Sequence, residues 1–150
     1  MKKKLLLLIF VIGCVCAISL FQNEKAGTFE EKVLGTCGLI TEDLAKINVM
    51  YVDDMDVQQH SDLEMVSQLQ GFSEYFSDCT FTESEHEVFS SHMIQVAAPK
   101  KSTWFYLWID NDGRYLEIQW FGPGDNDGSA VFESDTILSV GELLSAMSID

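Results

Sequence analysis

The sequence predicts an α+β domain: an antiparallel β-meander of about five or six strands, with one main helix and a short C-terminal helix packed on one face. Three observations carry that expectation. Alternating apolar residues flank an Asp-Gly pair in "WFYLWIDNDGRYLEIQWF", Trp104 to Phe121, a leading short-range signal for a hairpin. Met65, Leu69, Phe72 and Phe76 recur at helical spacing. Ser139 and Glu142 have capping-box spacing at the start of a segment carrying Val140, Leu143, Leu144 and Met147. With 150 residues, 47% of them hydrophobic, the chain can bury one domain's core.

The elements follow in order. Lys2, Lys3 and Lys4 precede an uninterrupted apolar run, Leu5 to Ile12, so residues 1–21 read as a signal peptide or N-terminal membrane anchor. The basic start keeps the N-terminus in the cytoplasm and sends the domain outside. Residues 22–43 read as a tether and N-terminal segment, with one helical turn where Thr28 and Glu31 have capping-box spacing. The globular domain is expected over 44–150. Its first strand is Lys46 to Val52, where Ile47, Val49 and Tyr51 alternate. Ser61 and Glu64 form the capping box of the main helix. Short strands then read from Cys79 to Thr82, Val88 to Val96, Thr103 to Ile109, Arg114 to Phe121 and Ser129 to Glu133.

The quartet Val11, Ile12, Gly13, Cys14 resembles a bacterial lipobox, an aliphatic residue and a small residue leading to a cysteine. The resemblance implies that Cys14 receives a diacylglycerol and becomes the mature N-terminus. Two other outcomes use the same residues. Val15 to Phe21 stays apolar, and a retained Leu5 to Phe21 helix would run about 25 Å, the short end of the spanning range. Val15 and Ala17 also satisfy the small-residue rule for cleavage after Ala17, which would release a secreted protein. The leader, together with the pattern over roughly residues 44 to 147, resembles the small, functionally uncharacterised lipoprotein domains of Gram-positive bacteria. That resemblance implies a position outside the cytoplasm, on the outer face of the cell membrane, and transfers no catalytic residue.

Two cysteines, Cys37 and Cys79, lie beyond the leader. Outside the cytoplasm they are expected to form one disulfide closing a loop of about 40 residues, the alternative being two buried thiols. The formal net charge is −15. Without Lys2, Lys3 and Lys4 it falls to about −18, which excludes nucleic acid and favours cations or basic partners.

The tetrapeptide DNDG occurs at Asp110 to Gly113 and at Asp125 to Gly128. Setting either glycine sixth in a twelve-residue calcium loop loses the first acid and the terminal bidentate glutamate. Asp110, Asp112, Asp125 and Asp127 are therefore weak metal candidates and better read as hairpin-turn residues. His60, His86 and His92 stand in no nucleophile motif, and no P-loop or other cofactor motif is present. No catalytic residue emerges. An envelope enzyme with a carboxylate pair drawn from different strands, and a calcium-stabilised structural domain, remain as alternatives.

The hairpin yields the sharper expectation. With Asp112 and Gly113 central to the turn, Ile109 pairs with Leu116, Leu107 with Ile118 and Phe105 with Trp120, all on the core face. Trp104, Tyr106 and Trp108 then share the other face with Phe121, Gln119 and Glu117. An exposed aromatic row binds something: a glycan ring, a peptide or another protein. Otherwise the N-terminal segment or the last helix covers it. The functional expectation is a membrane-tethered, extracytoplasmic, non-enzymatic binding module.

Overall fold

The structure is a computed structural model that describes residues 25–53, 56–63 and 66–148. The leader and the expected lipidation at Cys14 lie outside the described residues. The chain enters its core at Phe29, near the start of the described residues, because apolar residues crowd the first two turns. Strand β1 (Gly27–Thr28) leads into a wide π-helical turn, α1 (Phe29–Leu34). Its start is fixed by the expected capping box: Glu31 N donates to Thr28 Oγ1 (3.2 Å) and Thr28 N donates to Glu31 Oε2 (3.1 Å). Phe29, Val33, Leu34, Cys37 and Leu39 are all buried. Residues 27–43, expected as a tether and N-terminal segment, thus contribute a strand and part of the core.

A 3-10 turn at Thr41–Asp43 precedes β2 (Lys46–Asp53), β3 (Asp56–Leu63) and α2 (Val66–Phe76). Then come β4 (Thr80–Ser84), β5 (His92–Ala98), a 3-10 turn at Pro99–Lys101, β6 (Thr103–Ile109), β7 (Tyr115–Phe121), β8 (Gly128–Ser134) and α3 (Val140–Ala146). The strands form one antiparallel sheet in the order β1-β4-β8-β7-β6-β5-β2-β3. The α+β class and the antiparallel meander are as expected. Among the described residues the strand count is larger, eight in place of five or six.

β3 is the main addition. Its sequence, "DVQQHSDL", lacks apolar alternation, so nothing local announces a strand. It forms because β2 offers a partner in hairpin register, from Asp53 opposite Asp56 to Ile47 opposite Leu63. Ser61 lies opposite Val49 in that ladder, so it does not cap the main helix; Glu64 and Met65 lie outside the described residues, and α2 is described from Val66. Strand pairing outcompetes the capping signal there.

One hydrophobic cluster gathers Ile47, Val49, Phe81, Val96, Leu107, Ile118 and Phe132 from the sheet with Phe72, Phe76, Leu143 and Met147 from the helices. Phe29 stacks on Phe76 with ring centroids 4.2 Å apart and meets Phe72 and Phe81 edge-on, both at 5.8 Å. Each such ring, fully buried, is worth about 1.5–3 kcal/mol. The helices meet closely: a Cβ on Gly71 of α2 would stand 2.0 Å from the Ala146 carbonyl oxygen of α3. Tyr75 ties them together, its hydroxyl donating to Ser139 O (3.0 Å) and accepting from Ser139 N (2.6 Å). Only half of the second capping box therefore forms, Glu142 N donating to Ser139 Oγ (3.3 Å), because Tyr75 takes the Ser139 amide.

Cys37 and Cys79 are both buried and both free, in place of the expected disulfide. Each thiol donates instead to a carbonyl of the preceding turn, Cys37 to Leu34 O (3.1 Å) and Cys79 to Tyr75 O (3.8 Å). Burial pushes the Cys37 thiol up to about 11. Among the described residues no helix is long and apolar enough to cross a membrane.

Candidate functional site

The β6–β7 hairpin has the register expected from the sequence. Trp104 lies opposite Phe121, Tyr106 opposite Gln119 and Trp108 opposite Glu117, while Phe105, Leu107 and Ile109 face Trp120, Ile118 and Leu116 in the core. The turn itself is centred one residue earlier than expected. Gly113 N donates to Asp110 O (2.8 Å), placing Asn111 and Asp112 at the bend, and Gly113 closes it at φ 71°.

Asp110 is a structural clamp. It is buried, its Oδ1 accepts from Phe89 N (2.8 Å), and Asn111 N donates to Phe89 O (2.9 Å), so the hairpin tip holds the 85–91 loop at both ends of one residue. Leu138 N donates to Gly113 O (2.7 Å) and fastens the segment before α3 to the same tip. The second tetrapeptide works differently. Its Gly128 belongs to β8 and lies under the Trp120 ring, which a Cβ would approach to 2.3 Å; the positive φ of that loop is at Gly124. Asp127 Oδ1 accepts from Gly122 N (3.0 Å) and braces the loop. Asp112 and Asp125 are exposed. No group of three or more His, Cys, Asp or Glu among the described residues is arranged to hold a metal ion.

Beside the Asp110 clamp is a concavity of about 380 Å³, lined among others by Ser91, His92, Asp112, Ile137 and Ser139. Ser91 Oγ lies 2.9 Å from His92 Nδ1, and desolvation holds the imidazole below its ordinary range. His92 thus falls at the start of β5 rather than within a strand beginning at Val88. The side chain of His60 is outside the described region, and His86 stacks on Tyr115 at 3.9 Å.

The outer face of the sheet brings together what the sequence kept apart. Trp104 is 44% exposed and stacks on Phe121 across the strand pair, with centroids 5.7 Å apart and planes 18° from parallel. Tyr106 meets Phe121 edge-on at 5.7 Å and leans toward Trp108 at 5.8 Å. These rings bury one another, which is why Tyr106, Trp108 and Phe121 are half-buried while still facing outward. Next to them runs a polar chain across three strands: Asn48 Nδ2 donates to Gln95 Oε1 (2.7 Å), and Gln95 Nε2 donates to Tyr106 Oη (3.3 Å). Among the described residues Asn48 Oδ1 has no donor.

Sequence reasoning found the three aromatics of β6 but missed Asn48 and Gln95. The signal was present in the alternation of Ile47 and Val49, and of Ile94 and Val96, which sends the intervening residues to the other face. What could not be read was that β2 and β5 are neighbours, pairing Asn48 with Gln95.

Glu117 stands opposite Trp108 on β6 and Val131 on β8. It is half-buried, and desolvation raises its carboxyl above the ordinary value. Among the described residues its carboxylate has neither a hydrogen-bond donor nor an ion-pair partner.

Comparison of the chain with protein-family models, with curated proteins and with solved structures gives no match.

Proposed function

We propose that the chain is a membrane-tethered, extracytoplasmic binding module without enzymatic activity, and that its ligand surface is the outer face of the sheet. The observation that carries the proposal is the contiguous set of Trp104, Tyr106, Trp108 and Phe121, flanked by the Asn48–Gln95 chain. Water-facing aromatic area is costly unless a partner covers it, and amide groups at its margin give direction to that partner. In this reading α2 and α3 cover the inner face. Phe72, Phe76, Leu143 and Met147 lie in the cluster that includes the inward residues of the strands, and so do Phe29, Val33 and Leu34 of α1. The segments that would otherwise shield the aromatic row are thereby engaged elsewhere. The basic, apolar leader supports the location, and its Val11 to Cys14 quartet supports a lipid tether.

The test uses the full chain in nonionic detergent. Acrylamide, being neutral, quenches wet tryptophans without being repelled by the acidic surface. A quenchable fraction that disappears when Trp104 and Trp108 are both changed to Phe, leaving the shielded emission of Trp120, supports the reading. Emission already shielded in the unaltered chain overturns it. Mass analysis of the native N-terminus addresses the tether: diacylglyceryl on Cys14 or a retained Met1 supports it, and a soluble chain starting after Ala17 defeats it.

A further inference from the structure

The aromatic face has one feature that a surface for neutral ligands would not need. Glu117 places a carboxylate in the second row of the face, next to Trp108 in register, with Tyr106 leaning toward Trp108 on the far side. A half-desolvated carboxylate without a counter-ion is expensive, since burial penalises its charge and nothing local repays it. The other charges that the strand register places on the outer face are Glu133 on β8, Asp62 on β3 opposite Asn48, and, at the start of β2, Lys46, which has interactions of its own. The whole chain carries −15. The missing complement is a cation, and the missing apolar contact is something that can lie against an indole ring. One side chain satisfies both. A guanidinium is weakly hydrated and planar, stacks on aromatic faces, and donates a fork of hydrogen bonds that a carboxylate accepts in pairs. An ammonium satisfies the charge but not the plane.

We propose that Glu117 and Trp108 form a receptor for an arginine side chain, presented by a basic segment of a protein partner that docks on the outer face. This deepens the reading above and depends on it. The guanidinium lies over the Trp108 indole and pairs with the Glu117 carboxylate, while Trp104, Phe121 and Gln119 contact the rest of the segment. No covalent chemistry is involved. The net charge steers the encounter, and the desolvated carboxylate makes the contact selective, because it is released from its unpaired state only when a donor arrives.

The test titrates the full chain in nonionic detergent, at fixed near-physiological salt, with a Gly-Arg-Gly-Arg-Gly peptide blocked at both ends. Its citrulline and lysine counterparts and a neutral oligosaccharide run beside it, with tryptophan emission as the readout. The arginine peptide is expected to give a saturable change. The citrulline peptide should bind at least about tenfold more weakly and the lysine peptide several-fold more weakly, in line with loss of the charge-assisted pair and of the stack. Glu117→Gln should weaken arginine-peptide binding about tenfold. Asp78→Asn, the same charge change at an exposed position after α2, should leave binding within twofold of the unaltered chain.

Three results overturn the proposal. Equal weakening by Glu117→Gln and Asp78→Asn would mean diffuse attraction to an acidic protein. Equal binding of the lysine or citrulline peptide removes the assignment to arginine. Binding of the oligosaccharide with no response to the arginine peptide assigns the face to neutral ligands. That last result leaves the aromatic binding reading intact, whereas shielded tryptophans in the quenching experiment defeat both.

Discussion

Gly113 shows how much a single missing side chain can hold. Its φ of 71° is one that L residues adopt at a cost, and a Cβ there would meet Leu138 O at 2.2 Å. Gly124 has the same φ with nothing within 4 Å. The two glycines separate backbone strain from crowding. Gly124→Ala is expected to cost about 1 kcal/mol, from strain alone. Gly113→Ala should cost roughly 2–4 kcal/mol, because the segment before α3 must also move. Urea unfolding of both variants measures the difference, and equal losses would mean that Leu138 yields freely. The repeated tetrapeptide is a residue-scale lesson in what spelling conveys. "DNDG" announced two turns, but only the first glycine takes the left-handed conformation. The second is small because Trp120 lies over it, a long-range fact invisible in four letters.

At the scale of elements, legibility followed the strength of local periodicity. The β6–β7 register was readable to the residue because alternation and turn type both specify it, and a slip by one would turn every core side chain outward. β3 was not readable, since its only reason to be a strand is the exposed ladder of β2. The sequence shows α1 as one capped turn, but nothing local reveals that Phe29 reaches across to Phe76 and Phe81 or that Val33 and Leu34 join the same core. For α3, too short at seven residues to persist alone, the anchor is Tyr75. Tyr75→Phe keeps the ring against Phe76 at 4.9 Å but removes both hydroxyl bonds to Ser139. We expect a loss of about 1–3 kcal/mol, with amide exchange in α3 accelerating more than in β5 to β8. Uniform acceleration across the sheet would show that the hydroxyl stabilises the whole fold and has no special hold on the helix.

The molecule as a whole should lose stability in two stages on acidification. Desolvation holds His92 below its ordinary 6.5, so the native state favours the neutral ring. That contribution is complete above about pH 6.5 and is lost as pH falls through the native value. Glu30 is lowered by the Thr41 hydroxyl and by Thr41 N, which donates to it (2.9 Å), and Asp135 is lowered chiefly by Thr80 N, which donates to it (2.8 Å). Their contributions are present above the ordinary carboxylate values, about 4, and disappear as pH drops through the lower native ones. Glu117 runs the other way. Raised by burial, it favours the protonated native state, so its contribution is present in acid and lost as pH rises through its native value. Melting temperature against pH is therefore expected to fall first below about 6.5 and again below about 4. His92→Gln should flatten the first stage alone, and an unaltered first stage in that variant would remove His92 as its source.

The order of strands carries a consequence for how the chain comes into being. β5, β6, β7 and β8 are consecutive neighbours, but β2 lies beside β5, with Lys46 opposite Ala97, and β4 lies beside β8, with Phe81 opposite Ser134. β1 in turn rests on β4. The earliest segments therefore occupy both flanks of the sheet and find their places only after the later ones exist. A chain delivered N-terminus first must keep Phe29, Val33, Leu34, Phe72 and Phe76 without a finished sheet to cover until β8 arrives. Completion is then a late event, in which the last strand admits β4 and β4 carries β1, and the interval before it is when this protein most depends on being kept apart from its own kind.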